Sequence, residues 1–194
     1  MPDIQTPHRT GPALTLRTAA AWMVTFAGFP LGSVAAGLIA GPVDGPVAAL
    51  AGGFITGAVI GGLQAWGLGH NRPPALQWVL ATALGLMLGL WAGAGLVGFA
   101  TDPSSLVIQG AICGAAVGLA QGVVLVGRLG VLAFGWPVLL SAAWALGWTI
   151  TTAVGVEVGE QFTVFGSSGA VTVTALTLVL PYLLNRAAST ENRS

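Results

Sequence analysis

The sequence predicts an all-α integral membrane protein: six transmembrane helices arranged as three tandem helical hairpins, a parallel repeat of about 57 residues. Three observations predict it. Of 194 residues, 55% are hydrophobic and 6% charged, with mean hydropathy +0.86, whereas soluble domains carry about 25% charged residues. Six apolar runs each exceed the roughly 20 residues that cross hydrocarbon. Landmark residues return at a nearly constant spacing through the whole chain.

Taken in order, residues 1–17 are polar and read as a cytoplasmic tail carrying Arg9 and Arg17. The run 18–41 is longer than the apolar core of a signal peptide, about 7–15 residues, and reads as the first span, kinked at Pro30. Further runs cover about 46–69, 74–100, 103–127, 132–156 and 162–185. The breaks between them are short and make antiparallel hairpins of about 18–70, 74–127 and 132–186, within a transmembrane domain of 18–186. Residues 187–194 read as a second cytoplasmic tail. Asp44 and Asp102, just ahead of Pro46 and Pro103, read as N-caps that start helices.

Charge tests the count. Arg9 and Arg17, Arg72, Arg128, and Arg186 with Arg193 alternate with Asp44, Asp102, and Glu157 with Glu160 along successive loops. Arginine marks the cytoplasmic side, so both termini are expected there. Net charge is zero and lysine is absent, which excludes an electrostatic footprint for nucleic acid.

The repeat appears in Trp22, Trp78 and Trp136 (steps of 56 and 58) and in Gly32, Gly89 and Gly147 (57 and 58). It recurs in Gly41, Gly98 and Gly155 (57 and 57) and in Arg72, Arg128 and Arg186 (56 and 58). Gly53, Gly57 and Gly61 in the second span, and Gly110, Gly114 and Gly118 in the fourth, form small-residue faces that let helix backbones approach closely. The third copy departs, carrying Thr172, Thr174 and Thr177 where the others keep glycines and glutamine. GxxxGxxQ with a terminal arginine, as in Gly114, Gly118, Gln121 and Arg128, followed by a Trp-opened helix, resembles a group of uncharacterised bacterial integral membrane proteins. The resemblance implies a bacterial inner membrane and brings no activity with it.

Candidate sites follow from polar and aromatic side chains inside the spans. Gln64 and Gln121, 57 residues apart, each lie about two turns, ~11–12 Å, from an arginine. With the helix 6 threonines Thr172, Thr174 and Thr177 they form a candidate polar pocket, or else simple interhelical hydrogen bonds. Gln77 and Gln109 fall near helix ends and need only the interface. Trp22, Trp66, Trp78 and Trp136 read as interfacial anchors. Trp91, Trp144 and Trp148 lie deeper and offer a candidate face for a hydrophobic ligand or a partner, as well as for ordinary packing. Cys113 reads as a small packing residue.

The six runs contain no Asp, Glu, Lys, Arg or His, which argues against a pump, a proton-coupled transporter, a voltage sensor and an intramembrane protease. HExxH, the P-loop and GxSxG are absent. No catalytic residue, metal site or cofactor is indicated. The expected function is therefore a non-enzymatic membrane subunit or scaffold that packs against membrane lipids, other membrane-protein subunits or its own copies. The alternatives are a passive channel for a small neutral solute, or a carrier of a lipid, quinone or pigment.

Overall fold

The computed structural model describes residues 14–156, 158 and 163–191, and every regular element among them is helical. Glu157 and Glu160 lie outside the described residues, as do 1–13 and 192–194. Helix α1 (Leu16–Val24) starts at Thr15, whose hydroxyl accepts from the Thr18 N–H. It passes through a 3-10 turn at Thr25–Ala27 into α2 (Gly28–Ala40). The tightening falls one turn before Pro30, which has no N–H to offer the Phe26 carbonyl. Helices α3 (Pro46–Gly67), α4 (Ala75–Leu96) and α5 (Pro103–Leu129) follow. A 3-10 segment, Gly130–Gly135, leads into α6 (Trp136–Ala153). The chain closes with α7 (Ser167–Leu176) and α8 (Val179–Glu191).

Five continuous helical stretches are long and apolar enough to cross a membrane, where the sequence leads one to expect six. The difference lies in Pro103–Ala153, because residues 130–135 are themselves helical and no irregular residue separates α5 from α6. The two helices nevertheless fold back on each other, with Gly110 against Trp144 and Trp148, and Gly118 against Pro137. The last stretch departs most. It begins at Ser167 rather than 162, breaks at 177–178, and runs on to Glu191 through residues expected to be tail. The break again falls one turn before a proline, Pro181, which strips the Thr177 carbonyl of its helical donor.

The helix ends obey local chemistry. Gly41, Gly98 and Gly155, spaced at 57-residue steps, all have positive φ (77°, 61° and 82°). Such a backbone turn favours glycine after a helix C-terminus. Asp102 caps α5, accepting from the Ser105 N–H at 3.1 Å. The hydroxyls of Ser104 and Ser105 help hold its carboxyl down to about 2. Asp44 does not cap; the N-cap of α3 is the extended Gly45, with no side-chain bond.

Neighbouring helices pack in chain order from α2 through α7, and α7 returns to α1 and its 3-10 turn. The closing bond runs from Trp22 Nε1 to the Thr174 carbonyl at 3.0 Å. The contacts depend on missing side chains. A methyl at Gly57 would lie 2.7 Å from Ala83 Cα, and one at Gly53 2.8 Å from Met87 Cα. Gly61 meets Val79 and Thr82 in the same way, so the whole face Gly53, Gly57, Gly61 is spent on α4. Gly110, Gly114 and Gly118 are spent likewise on α6, and Gly85 and Gly89 of α4 on Val117 and Cys113 of α5.

Gly57→Ala must push α3 from α4, at a cost of about 1–3 kcal/mol. The expected drop in unfolding midpoint is about 2–12 °C for a chain of this size. Gly62→Ala, where nothing lies within 4 Å, should leave the midpoint unchanged or raise it. Thermal unfolding of both variants in detergent checks this pair, and equal midpoints would contradict the packing account.

Candidate functional site

The glutamine pair meets. Gln121 Nε2 donates to Gln64 Oε1 at 3.2 Å and to Thr82 Oγ1 at 2.9 Å, while Gln121 Oε1 accepts from Trp136 Nε1 at 2.8 Å. Thr82 passes its own proton to the Trp78 carbonyl. The Gln121 amide is thereby satisfied inside the bundle and ties α3, α4, α5 and α6 together. The threonines of the last stretch do not join it. Thr172, Thr174 and Thr177 each donate to a carbonyl one turn back on α7: Ser168, Ala170 and Val173. Neither cavity described below is lined by the glutamines or by these threonines.

The tryptophans divide differently from the expectation. Of the four expected anchors only Trp66 is exposed, at 59%; Trp22, Trp78 and Trp136 are buried. Their side chains are turned into the bundle: Trp22 donates to the Thr174 carbonyl and Trp136 to Gln121. Trp78 Nε1 has no partner. Gln109, near the start of α5, is fully buried rather than interfacial, and neither polar atom of its amide has a partner. Trp91 lies half exposed on the outside. Trp144 and Trp148 are buried in an aromatic cluster.

That cluster is organised by the late start of α7. Residues 163–166 precede it as non-helical backbone, with Thr163, Val164 and Phe165 all buried. Phe165 stacks on Phe29 at 5.2 Å and meets Trp144 and Trp148 edge-on at 5.2 and 6.2 Å. Thr163 hydrogen-bonds the Thr56 hydroxyl at 2.8 Å, in space left by Gly52. Glycines admit the segment: a methyl at Gly147 would lie 3.0 Å from the Phe165 ring, and one at Gly166 3.2 Å from Thr151 Cγ2. Irregular backbone at membrane depth is tolerated where protein covers it or where it lines a cavity. Here both conditions hold.

Beside the non-helical segment that precedes α7, a cleft of about 260 Å³ opens between α2 and α6. Pro30, Ser33 and Val34 form one wall, Trp148 and Thr151 the other, and Phe165, Gly166 and Ser167 lie between. It sits toward the end of the bundle that carries Asp44 and Asp102. The lining is mostly apolar, and its polar groups are neutral. Thr151 is 1% exposed, yet its Oγ1 has no partner. The N-terminus of α7, which has no side-chain cap, borders the same space and supplies free backbone N–H groups. Such a site can hydrogen-bond a carbonyl or hydroxyl on an otherwise apolar molecule. It holds no nucleophile–base pair, and no group of three or more His, Cys, Asp or Glu able to hold a metal occurs among the described residues.

Sequence reasoning identified Trp144 and Trp148 but missed Ser33, Thr151, Thr163 and Phe165. Phe165 sits in a short apolar run that periodicity alone cannot separate from a helix start. Gly147, Gly166 and Gly169 were the readable signal, since a methyl at Gly169 would run into the Gly147 carbonyl. Comparison with protein-family models, curated proteins and solved structures finds no match, so these residues are interpreted from their own geometry.

Gln121→Leu removes three hydrogen bonds and strands Trp136 Nε1 without an acceptor, an expected loss of about 1–3 kcal/mol. Gln64→Leu removes one, an expected loss near the ~0.6 kcal/mol average for interhelical bonds in membranes. Denaturant unfolding in micelles compares them, and equal losses would show that Gln121 does not tie the four helices.

Proposed function

We propose that this chain is a non-enzymatic, multi-pass membrane protein that holds one end of a lipid-like molecule in the cleft between α2 and α6. The observation that carries the reading is Thr151: a buried hydroxyl without a partner, in an apolar cleft beside an uncapped helix N-terminus. A ligand seated in the cleft would offer that hydroxyl the partner it lacks. The cleft is smaller than the ~300–1,000 Å³ of ordinary ligand pockets. It therefore suits the polar end and first carbons of a long molecule, a quinone or prenyl lipid for example, whose remainder stays in the bilayer.

The same reading places six spans in the membrane, α5 and α6 counting separately, as three hairpins of one orientation. It is supported by equivalent contacts at one repeat length, such as Gln64 with Gln121 and the Asn71 carbonyl with Arg128. The arginine-bearing end faces the cytoplasm by the positive-inside rule, and the membrane is the inner membrane of a bacterium. A scaffold function has less support, since the glycine faces and Trp144 and Trp148 are used within the bundle, while Trp91 stays half exposed. A solute channel has little support when the two glutamines satisfy each other and the threonines satisfy their own helix.

Native mass spectrometry after gentle extraction is expected to show a bound apolar molecule. Val34→Trp, which fills the cleft from a 60% exposed position, should abolish its retention. Thr151→Val should lower retention about fivefold, the worth of one hydrogen bond near 1 kcal/mol. A bare chain, or a molecule retained equally by Val34→Trp, would reject the reading.

A further inference from the structure

A second cavity, of about 420 Å³, lies at the arginine-bearing end, remote from the cleft. Among the described residues its lining includes Arg17, His70, Asn71 and Asn185, with Trp66 and Ala21 on the apolar side, and no carboxylate. The turn that forms one wall is fixed from two sides. Arg72 Nη1 donates to the Gly69 carbonyl at 2.9 Å, and Arg128 Nη1 reaches across to the Asn71 carbonyl at 3.2 Å. Asn71 Nδ2 donates to Asn185 Oδ1 at 2.7 Å, so the Asn185 amide keeps both its donors. Arg17 and His70 bond to no group among the described residues. Asp44 and Asp102 stand at the opposite end of the bundle, and at this end Glu191 closes α8 six residues beyond Asn185.

A separate feature adds to this positive field. Arg17 occupies the first turn of α1, where the helix dipole is already positive and a cation is unfavourable. An anion beside the guanidinium and the helix end would relieve this repulsion. The rim supplies the rest of the recognition. Trp66 is 59% exposed next to the basic groups, the depth at which indole sits between headgroups and acyl chains.

We propose that this cavity binds the phosphate headgroup of an anionic phospholipid, with its acyl chains descending past Trp66 and Ala21. Arg17 supplies the fixed charge, and His70 and Asn185 supply donors. Trp66 and Ala21 select a lipid over a free anion, because only a lipid uses the apolar side of the site. Basic pockets between transmembrane helices recognise anionic headgroups in this manner. The proposal is independent of the cleft at the aspartate end, and either can fail without the other.

The test uses the full chain in neutral detergent, titrated with phosphatidylglycerol or phosphatidylcholine of equal chain length and read by native mass spectrometry. Phosphatidylglycerol should be retained about tenfold more tightly, and 10 mM inorganic phosphate should not displace it. The double variant R17Q/H70Q should abolish the preference. Ala21→Trp keeps every charge but fills the apolar side, and it should reduce phosphatidylglycerol retention by a similar factor with the unfolding midpoint held. Equal retention of the two lipids by the wild type would overturn the proposal. So would a preference that survives Ala21→Trp, or displacement by inorganic phosphate, which would identify a free-anion site instead.

Discussion

The architecture depends on backbone meeting backbone. Hydrocarbon gives apolar side chains no reason to prefer one another over lipid, so association must come from close contact and from polar groups that find partners. In this chain the contact is supplied by glycine on one helix against main-chain atoms on the next: Gly32 against Thr56, Gly57 against Ala83, Gly89 against Cys113, Gly114 against Leu140. Each is a place where even a methyl group is too much. Many large apolar residues, among them Leu38, Val47, Val123 and Val138, are left on the outside, where lipid is an adequate neighbour.

Close approach leaves little interior to fill, and what fills it differs at the two ends. Toward the arginines, two amides, a hydroxyl and one indole knit four helices around Gln121. Toward the aspartates, a non-helical segment is drawn in and packed by aromatic rings around Phe165. The second solution forgoes about one and a half turns of helix. The backbone that would have been satisfied internally by helical bonds is instead covered by protein on one side and left beside a cleft on the other. Packing and candidate function are thus two results of the same shortened element. The unpartnered Thr151 hydroxyl is where they meet.

Most of the helix pattern was legible because composition and charge act over long windows. The apolar runs, the turn glycines Gly41, Gly98 and Gly155, and the cap at Asp102 follow from local rules that the sequence states directly. Two prolines foretold breaks, although only Pro30 was read that way and Pro181 was passed over. What local rules could not show was which face meets which. Trp22, Trp78 and Trp136 looked like membrane anchors because indole at a helix start usually is one; tertiary contact buried them instead. Gln109 looked interfacial for the same reason. The short helix at Ser167 was hidden because Phe165 carries no feature distinguishing a packed loop from the first turn of a span. The cleft, which lies beside that loop, left no positive mark in the sequence.

The bond between Trp22 and the Thr174 carbonyl spans 152 residues of chain. Translation delivers the first helix long before the last, and at about 5–20 residues per second the wait is on the order of ten seconds or more. Throughout that interval the Trp22 indole N–H has no native acceptor, and Phe29 lacks the Phe165 ring it will stack on. The nascent bundle is therefore an open chain of packed neighbours that becomes a closed body only when its final segment enters the bilayer. A chain lacking α7 and the segment before it would keep one unsealed seam, with an aromatic surface and an unspent donor along it.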